Sequence, residues 1–523
     1  MSNSSLGIAK NDTKKEYRSW ILTSSGIFCI NCTETVEISD YCVVYFIRLY
    51  DRHKNVILGA IASKYLQHQL KGDDSVKAVR YTTSEFGEFV QYEMSQALKM
   101  EGAFTAVPIK ESLNENFFGI GVAITGSSCY NLFKMPKPDR LRLLEHLYSK
   151  NGLGMSVGRI TIGSSDYSAE LYTYDDTEND TELKDFSIKR DMEYIVPIIK
   201  EIIEINPDIT LFASPWSPPG WMKTGGSVCG GYMRKEFVPC YAKYIVRFLK
   251  AYEECGIKIT AVTPQNEPET KQNGTMPACI WHPDIEAYFI ETLRSELENC
   301  GMKTQIWMYD HCFNGCNRVE WTLKNHPGCA ESCNGVAFHY YDGAIEQTAH
   351  LRKAYPNLTL HMTEGGPRLY DCYATDWCKW GIMLAKALSL GYSSLTGWNL
   401  MLDETGGPNI GPFFCGGFVT RNSHDASLSY SGQYKAFRHF SPYITPDTKI
   451  YALAINDDFD NMSAYPNFEK RIEGCYLEND KLPDALILVN PNKSKKQVQF
   501  LYDGKWWYCE LLPNSLSTVC FEK

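Results

Sequence analysis

Between residues 118 and 400 the chain alternates short apolar, β-branched runs with longer amphipathic stretches, and eight such runs can be counted. Strands alternating with helices build a parallel sheet, and eight is the number of strands that closes a barrel. The runs lie near 118–124, 156–163, 209–216, 259–265, 304–310, 335–341, 358–363 and 393–399. Between them sit helical patterns such as 239–255, where Tyr241, Ile245, Phe248 and Tyr252 recur at helical spacing and are expected to face the core. The fold class expected is α/β, a (β/α)8 TIM barrel over residues 116–445.

With 523 residues the chain exceeds the roughly 250 of a bare barrel, so a second domain is expected. Residues 446–523 alternate apolar and polar positions, most clearly in 485–500, with turn residues between the runs, which predicts antiparallel strands. The segment 76–115 has comparable short runs and is expected to join the same sheet, giving a β-sandwich built from both chain ends. Residues 1–75 stay unassigned, and 40–75 fit neither pattern.

The net charge of −10 excludes phosphate-backbone binding, so nucleic acid is not expected as a partner. Of the 19 cysteines, only Cys29 and Cys32 have CxxC spacing and no second pair matches them, which argues for disulfides near the N-terminus rather than zinc. Glycosylation acceptor patterns at Asn31, Asn179, Asn273, Asn357, Asn461 and Asn492 fit a glycoprotein that is lysosomal or secreted, although no signal peptide is visible at Met1–Lys10. No apolar run reaches the roughly 18 residues of a membrane span.

In a barrel of this kind the loops after the strands gather at one face, so polar residues at strand ends converge. The rule selects Arg159 and Asp166, Trp216 and Trp221, Asn266 and Glu267, Asp310 and His311, His339 and Tyr341, Glu364, and Trp398 with Asn399. A lone strand-end Asp or His is more often a cap or a satisfied structural group. Glu267, in Thr-Pro-Gln-Asn-Glu-Pro (263–268), and Glu364, in Met-Thr-Glu-Gly-Gly-Pro (362–367), are harder to dismiss. Two carboxylates delivered by different strand ends are what acid-base cleavage of a glycosidic bond requires.

The runs ASPWSPPGWMKTGG (213–226), ITAVTPQNEPE (259–269), HMTEGG (361–366) and GWNLMLDETGGPN (397–409) resemble glycoside hydrolase family 30, most closely its glucosylceramidase members. GRITIGSSDYSAELYTYDDT (158–177) is a further match, and the resemblance runs from about 115 to the C-terminus. It implies retention of anomeric configuration with no metal or cofactor, Glu267 as acid/base and Glu364 as nucleophile. Asp166, Trp216, Asn266 and Trp398 stand where the family holds the sugar, and Arg159, His339 and Tyr341 where it supports the two glutamates; all seven are counted with the substrate-binding set. The activity implied is hydrolysis of glucosylceramide. Its alternatives are another activity of the family, β-xylosidase or endo-β-1,6-glucanase, and a silent paralogue that only binds lipid or sugar. Two positions depart from the family pattern: Gly126 replaces an acidic residue, and Phe413 stands where a sugar-facing Asn is common. Phe313, Trp321, Ile410, Phe413, Phe414 and Phe418 are expected to offer an apolar surface to a lipid leaving group, a membrane surface or a saposin-like activator.

Overall fold

The structure is a computed structural model, and it describes residues 76–109, 117–270, 274–456 and 471–522 together with the backbone of four strands within 17–61. Those four strands form a separate unit within Met1–Val76, an antiparallel sheet in the order Gly26–Cys32, Tyr17–Thr23, Tyr45–Tyr50 and Val56–Ile61. The expected N-terminal disulfide falls on side chains outside the described residues. No disulfide joins any of the sixteen cysteines among the described residues.

Lys77–Lys523 forms the second unit, and its centre is a closed barrel of eight parallel strands. In chain order they are β1 (Gly119–Ala123), β2 (Val157–Ile162), β3 (Thr210–Pro215), β4 (Ala261–Val262), β5 (Gln305–Cys312), β6 (Gly335–His339), β7 (Thr359–Glu364) and β8 (Tyr392–Gly397), which pairs back onto β1. Each falls on one of the eight apolar runs. Helices cover the outer face, so most strand positions are buried on both sides, as expected of an all-parallel sheet. β4 is shorter than its run of 259–265 because Pro264 has no N–H to continue the ladder. Val157, Phe212, Ala261, Trp307 and Ala337, with Phe118 beside them, fill the N-terminal half of the barrel, and Trp307 stacks on His361 at 3.5 Å. That packing leaves the C-terminal strand ends as the place for a cavity.

Three of the remaining strands (Met401–Asp403, Val419–Arg421 and Leu428–Tyr430) form a small sheet, and the other ten form a sheet drawn from both ends of this unit. Lys77–Ser84 pairs antiparallel with Ser515–Glu522, in register from Lys77 with Glu522 to Thr83 with Leu516. The sheet folds over on itself, so Phe500, Tyr502 and Trp507 from one half pack on Phe521 of the other at 5.7, 3.8 and 5.8 Å. One pair departs from the expected antiparallel pattern: Phe104–Pro108 runs parallel to Lys496–Tyr502. The sandwich docks on the barrel through the helix Trp377–Ser389, where a Cβ on Gly381 would meet Leu516 and Val489 at 3.2 Å. Among the acceptor asparagines, Asn492 is buried in this sheet with its amide on Asn490, so it cannot carry a glycan. Asn179 and Asn357 are exposed.

Candidate active site

Glu364 is the last residue of β7, and Glu267 lies five residues past the end of β4. The backbone delivering the second of these is strained. Glu267, Tyr309 and Asp310 all have positive φ (50°, 78° and 61°), a region that costs a non-glycine residue about 1–3 kcal/mol. A bulge between Tyr309 and His311 breaks the β5–β6 register and turns Asp310 inward, and the Asp310 carbonyl accepts the Glu267 N–H at 2.9 Å.

Asp310 is the hub beneath the two glutamates. Fully buried, it accepts from Thr263 (2.7 Å), Ser214 (2.9 Å), Thr363 (2.6 Å), Arg159 (2.9 Å) and His339 Nε2 (3.1 Å). Burial pushes its proton affinity up, but Arg159, His339 and Thr363 pull it far below the usual carboxylate range. Arg159 also donates to Glu364 through Nη1 and to the side-chain Oδ1 of Asn266 at 2.7 Å, and its guanidinium lies over Trp216 at 4.7 Å. Arg159 and His339 are fully buried and their polar atoms are committed to these partners. They lie under the carboxylates and not on the cavity wall, which differs from their place in the substrate-binding set.

One oxygen of Glu267, one of Glu364 and a ring nitrogen of His339 lie within 4.8 Å of one another. Such spacing is on the short side of what divides retaining from inverting glycosidases, where about 5–5.5 Å separates the first kind and about 6.5–9.5 Å the second. His339 Nδ1 is 3.1 Å from Glu267 and 3.8 Å from Glu364. Burial alone would lower the affinity of this imidazole for a proton, but Glu364, Asp310 and Glu267 raise its pKa to about 9. Burial also pushes Glu267 up, and hydrogen bonding and positive charge from His339 more than offset this, holding it at about 2. Glu364 is raised, first by burial and then by Glu267, against His339 and Arg159. The two carboxyls lie close enough to titrate as a pair. These atoms are close enough to share a cation, yet Arg159 already supplies positive charge at Glu364.

The cavity above the pair measures about 260 Å³, at the small end for ligand sites. Its inner wall is Asp166, Trp216, Asn266 and Trp398, all buried, with the two indoles stacked at 5.2 Å. Asp166 Oδ1 has no hydrogen-bond partner, and burial, then Glu364 and Glu267, push its proton affinity well up. A buried orphan acceptor aimed into a cavity is a place for a ligand hydroxyl. The loop 408–415 closes over it, with the Ile410 and Gly411 N–H groups on the Asp166 carbonyl at 2.8 and 3.3 Å. Gly126 opens a helix beside this loop, where a Cβ would press on Ser168 Oγ at 3.2 Å. A second, larger cavity of about 510 Å³ lies at the opposite end of β4 and β5, near Lys258 and Lys303, and has no carboxylate pair.

The mouth consists of Thr270, Met276, Tyr341, Arg368, Tyr370, Phe413 and Phe414. Tyr341 hydrogen-bonds Glu364, and Thr270 donates to Glu267 at 3.0 Å. Arg368 donates to the Tyr370 hydroxyl at 2.7 Å and lies over the Tyr341 ring. Thr270, Met276, Arg368 and Tyr370 were not selected by the strand-end rule; the run Gly-Gly-Pro-Arg-Leu-Tyr directly after Glu364 was the signal for two of them. Several selected residues lie elsewhere. Trp221 packs in the core with its indole N–H on the Asp175 carbonyl, and Asn399 is buried against Thr125. His311 sits 3.9 Å from Glu267 behind Thr270. Of the expected apolar surface, Phe313 and Phe418 are buried, while Trp321 is exposed on the helix Cys316–Asn325 and does not line the cavity.

A model of the glycosyl hydrolase family 30 TIM-barrel domain matches residues 117–444. Putative glucosylceramidase 4 of Caenorhabditis elegans is 28% identical over 491 residues, covering 86% of this chain and 89% of that one. The endo-1,6-beta-D-glucanase of Neurospora crassa is 29% identical over 345 residues, covering 62% and 70%. Among solved structures, an endo-beta1,6-glucanase superposes with a TM-score of 0.74 at 27% identity, covering 85% of this chain and all of the other.

Proposed function

The chain belongs to glycosyl hydrolase family 30, and from that premise we propose that it is a retaining β-glucosidase that cleaves glucosylceramide to glucose and ceramide. Glu364, ionised, attacks the anomeric carbon while Glu267 donates a proton to the departing oxygen; water then hydrolyses the glycosyl ester with Glu267 as base. The Glu267 side chain is the more exposed of the two, 16% against 7%, so displacing water desolvates it more and raises its hold on a proton. Arg159 and Tyr341 stay on Glu364 and favour its charge. Once Glu364 is esterified its charge is gone, and Glu267 releases its proton more readily.

The observation that carries the substrate reading is the cavity's shape. Its inner end closes behind Asp166, Trp216 and Trp398 with room for one sugar ring, and its mouth opens on Phe413, Phe414 and Tyr370. An exo-acting enzyme with an apolar leaving group fits both ends. The same aromatic rim suits a membrane surface or a small activator protein, and a lysosomal or secreted location would accord with exposed Asn179 and Asn357. Endo-β-1,6-glucanase activity is the second reading, favoured by Arg368, whose guanidinium faces the mouth and suits the hydroxyls of a second sugar. Offering a short-chain fluorescent glucosylceramide, a linear β-1,6-glucan and an aryl β-xyloside in parallel separates these. Lipid cleavage is the expected leading activity; glucan or xyloside turnover without lipid turnover overturns the proposal.

A further inference from the structure

We infer that Glu286, on the helix Pro283–Asn299 outside the barrel, is a positioning residue for Glu267. It is 1% exposed, and its Oε1 accepts the N–H of Tyr309 at 2.8 Å. Tyr309 is the first of the two left-handed residues in the β5 bulge, so the carboxylate fixes a backbone turn that the chain would not hold by itself. The next residue, Asp310, supplies the carbonyl that holds the Glu267 N–H and the carboxylate that anchors Arg159 and His339.

A second connection runs in parallel. Glu286 Oε2 accepts from Arg318 Nη2 at 2.5 Å, and the same nitrogen donates to the Trp281 carbonyl at 3.0 Å. The Trp281 N–H in turn donates to the carbonyl of Pro268, the residue after Glu267, at 2.9 Å. Gly315 keeps the bracket compact, because a Cβ there would overlap the Tyr309 hydroxyl at 1.6 Å. One buried ion pair on two outer helices therefore grips both sides of the Glu267 turn. Removing the acceptor leaves the Tyr309 N–H unpaired and takes from Arg318 its nearer carboxylate, with only Glu269 left at 3.7 Å, and the turn relaxes.

The inference rests on Glu267 acting as the acid, which gives it a readout that lost stability does not move. An acid matters for expelling a poor leaving group and little for a good one, and kcat/KM reports only the step in which the leaving group departs. Glu286→Leu and Glu286→Gln are assayed on octyl β-glucoside and 2,4-dinitrophenyl β-glucoside, with rates normalised to active sites by burst titration. Glu286→Leu is expected to lose about 100-fold on the octyl substrate, the scale of a misplaced catalytic group. Glu286→Gln, which keeps the shape and weakens the acceptor, is expected to lose about 10-fold there. Both are expected to stay within about 3-fold of wild type on the dinitrophenyl substrate. Equal losses on the two substrates, or no loss on either, overturn the inference. Glu267→Ala run alongside separates the two failures. If it lacks the leaving-group dependence, the acid assignment itself is wrong; if it has the dependence and the Glu286 variants do not, only the role of Glu286 falls.

Discussion

At the inner end of the cavity Asp310 accepts from five side chains, none of its atoms reaches solvent, and three neighbouring residues hold left-handed backbone. At the mouth Tyr370 and Phe414 are 67% and 65% exposed, and they sit on loops. The inner end is over-determined around Asp310: Arg159, His339 and Glu364 are each paired, and the partners come from β2, β3, β5, β6 and β7. The mouth is drawn from the loops after β4, β6, β7 and β8, and its exposed aromatics Tyr370, Phe413 and Phe414 can change without disturbing the barrel. The difference teaches that the bond-breaking machinery and the choice of leaving group are separate constructions, and substitutions should divide accordingly.

Removing a reacting group is expected to have the largest effect. Glu364→Gln should lower kcat by about 10⁴-fold or more, the scale on which loss of a nucleophile acts, with folding intact. Steady-state assays with a matched circular dichroism melt check this; a variant retaining a tenth of the activity would erase the distinction between inner end and mouth. Next comes Asp310→Asn, which breaks a buried pair and should destabilise the fold by about 3–5 kcal/mol, read from urea unfolding. A change under 1 kcal/mol would mean that the hub is not what holds the inner end together.

The pH dependence sharpens the same contrast. His339 is raised in the folded state to about 9, above the roughly 6.5 of an unfolded chain, so its contribution is fully present below pH 6.5. It is lost as pH rises through about 9, and the loss is on the order of 3 kcal/mol. Unfolding midpoints between pH 6 and 10 should fall for wild type and stay flatter for His339→Asn. Equal slopes would place the titration elsewhere. Phe414→Ser at the mouth should have the smallest effect, raising KM for a lipid substrate about 10-fold and shifting stability by less than about 0.5 kcal/mol. A large loss on an aryl glucoside as well would show that the mouth and the inner end are coupled.

The inner end was largely legible in the sequence because barrel strands point their C-terminal residues at one place, so Asp166, Trp216, Asn266, Glu267, Glu364 and Trp398 could be gathered by counting strands. What counting could not supply was depth. The resemblance implies that Arg159 and His339 support the two glutamates, and both lie buried beneath them, but strand position alone says which face a residue reaches and not what lies above it. Trp221 lies five residues past Trp216, yet the chain turns at Gly220 and sends it into the core. The mouth was poorly legible for a different reason. Phe313, Phe413, Phe414 and Phe418 are equally apolar in sequence, and only the course of the loops decides which two are buried and which two line the cavity. The left-handed turn at Tyr309 left no sequence signal, since tyrosine does not favour that conformation, and Glu286 reads as an ordinary first-turn acid of its helix.

The central claim is double displacement through Glu364, and the direct measurement is to trap the intermediate. Incubation with 2-deoxy-2-fluoro-β-glucosyl fluoride, followed by peptic digestion and mass spectrometry, should find the sugar esterified to Glu364 in the peptide containing Met362–Pro367. A label on Glu267, or no covalent adduct together with release of the inverted anomer from an aryl glucoside, would contradict it.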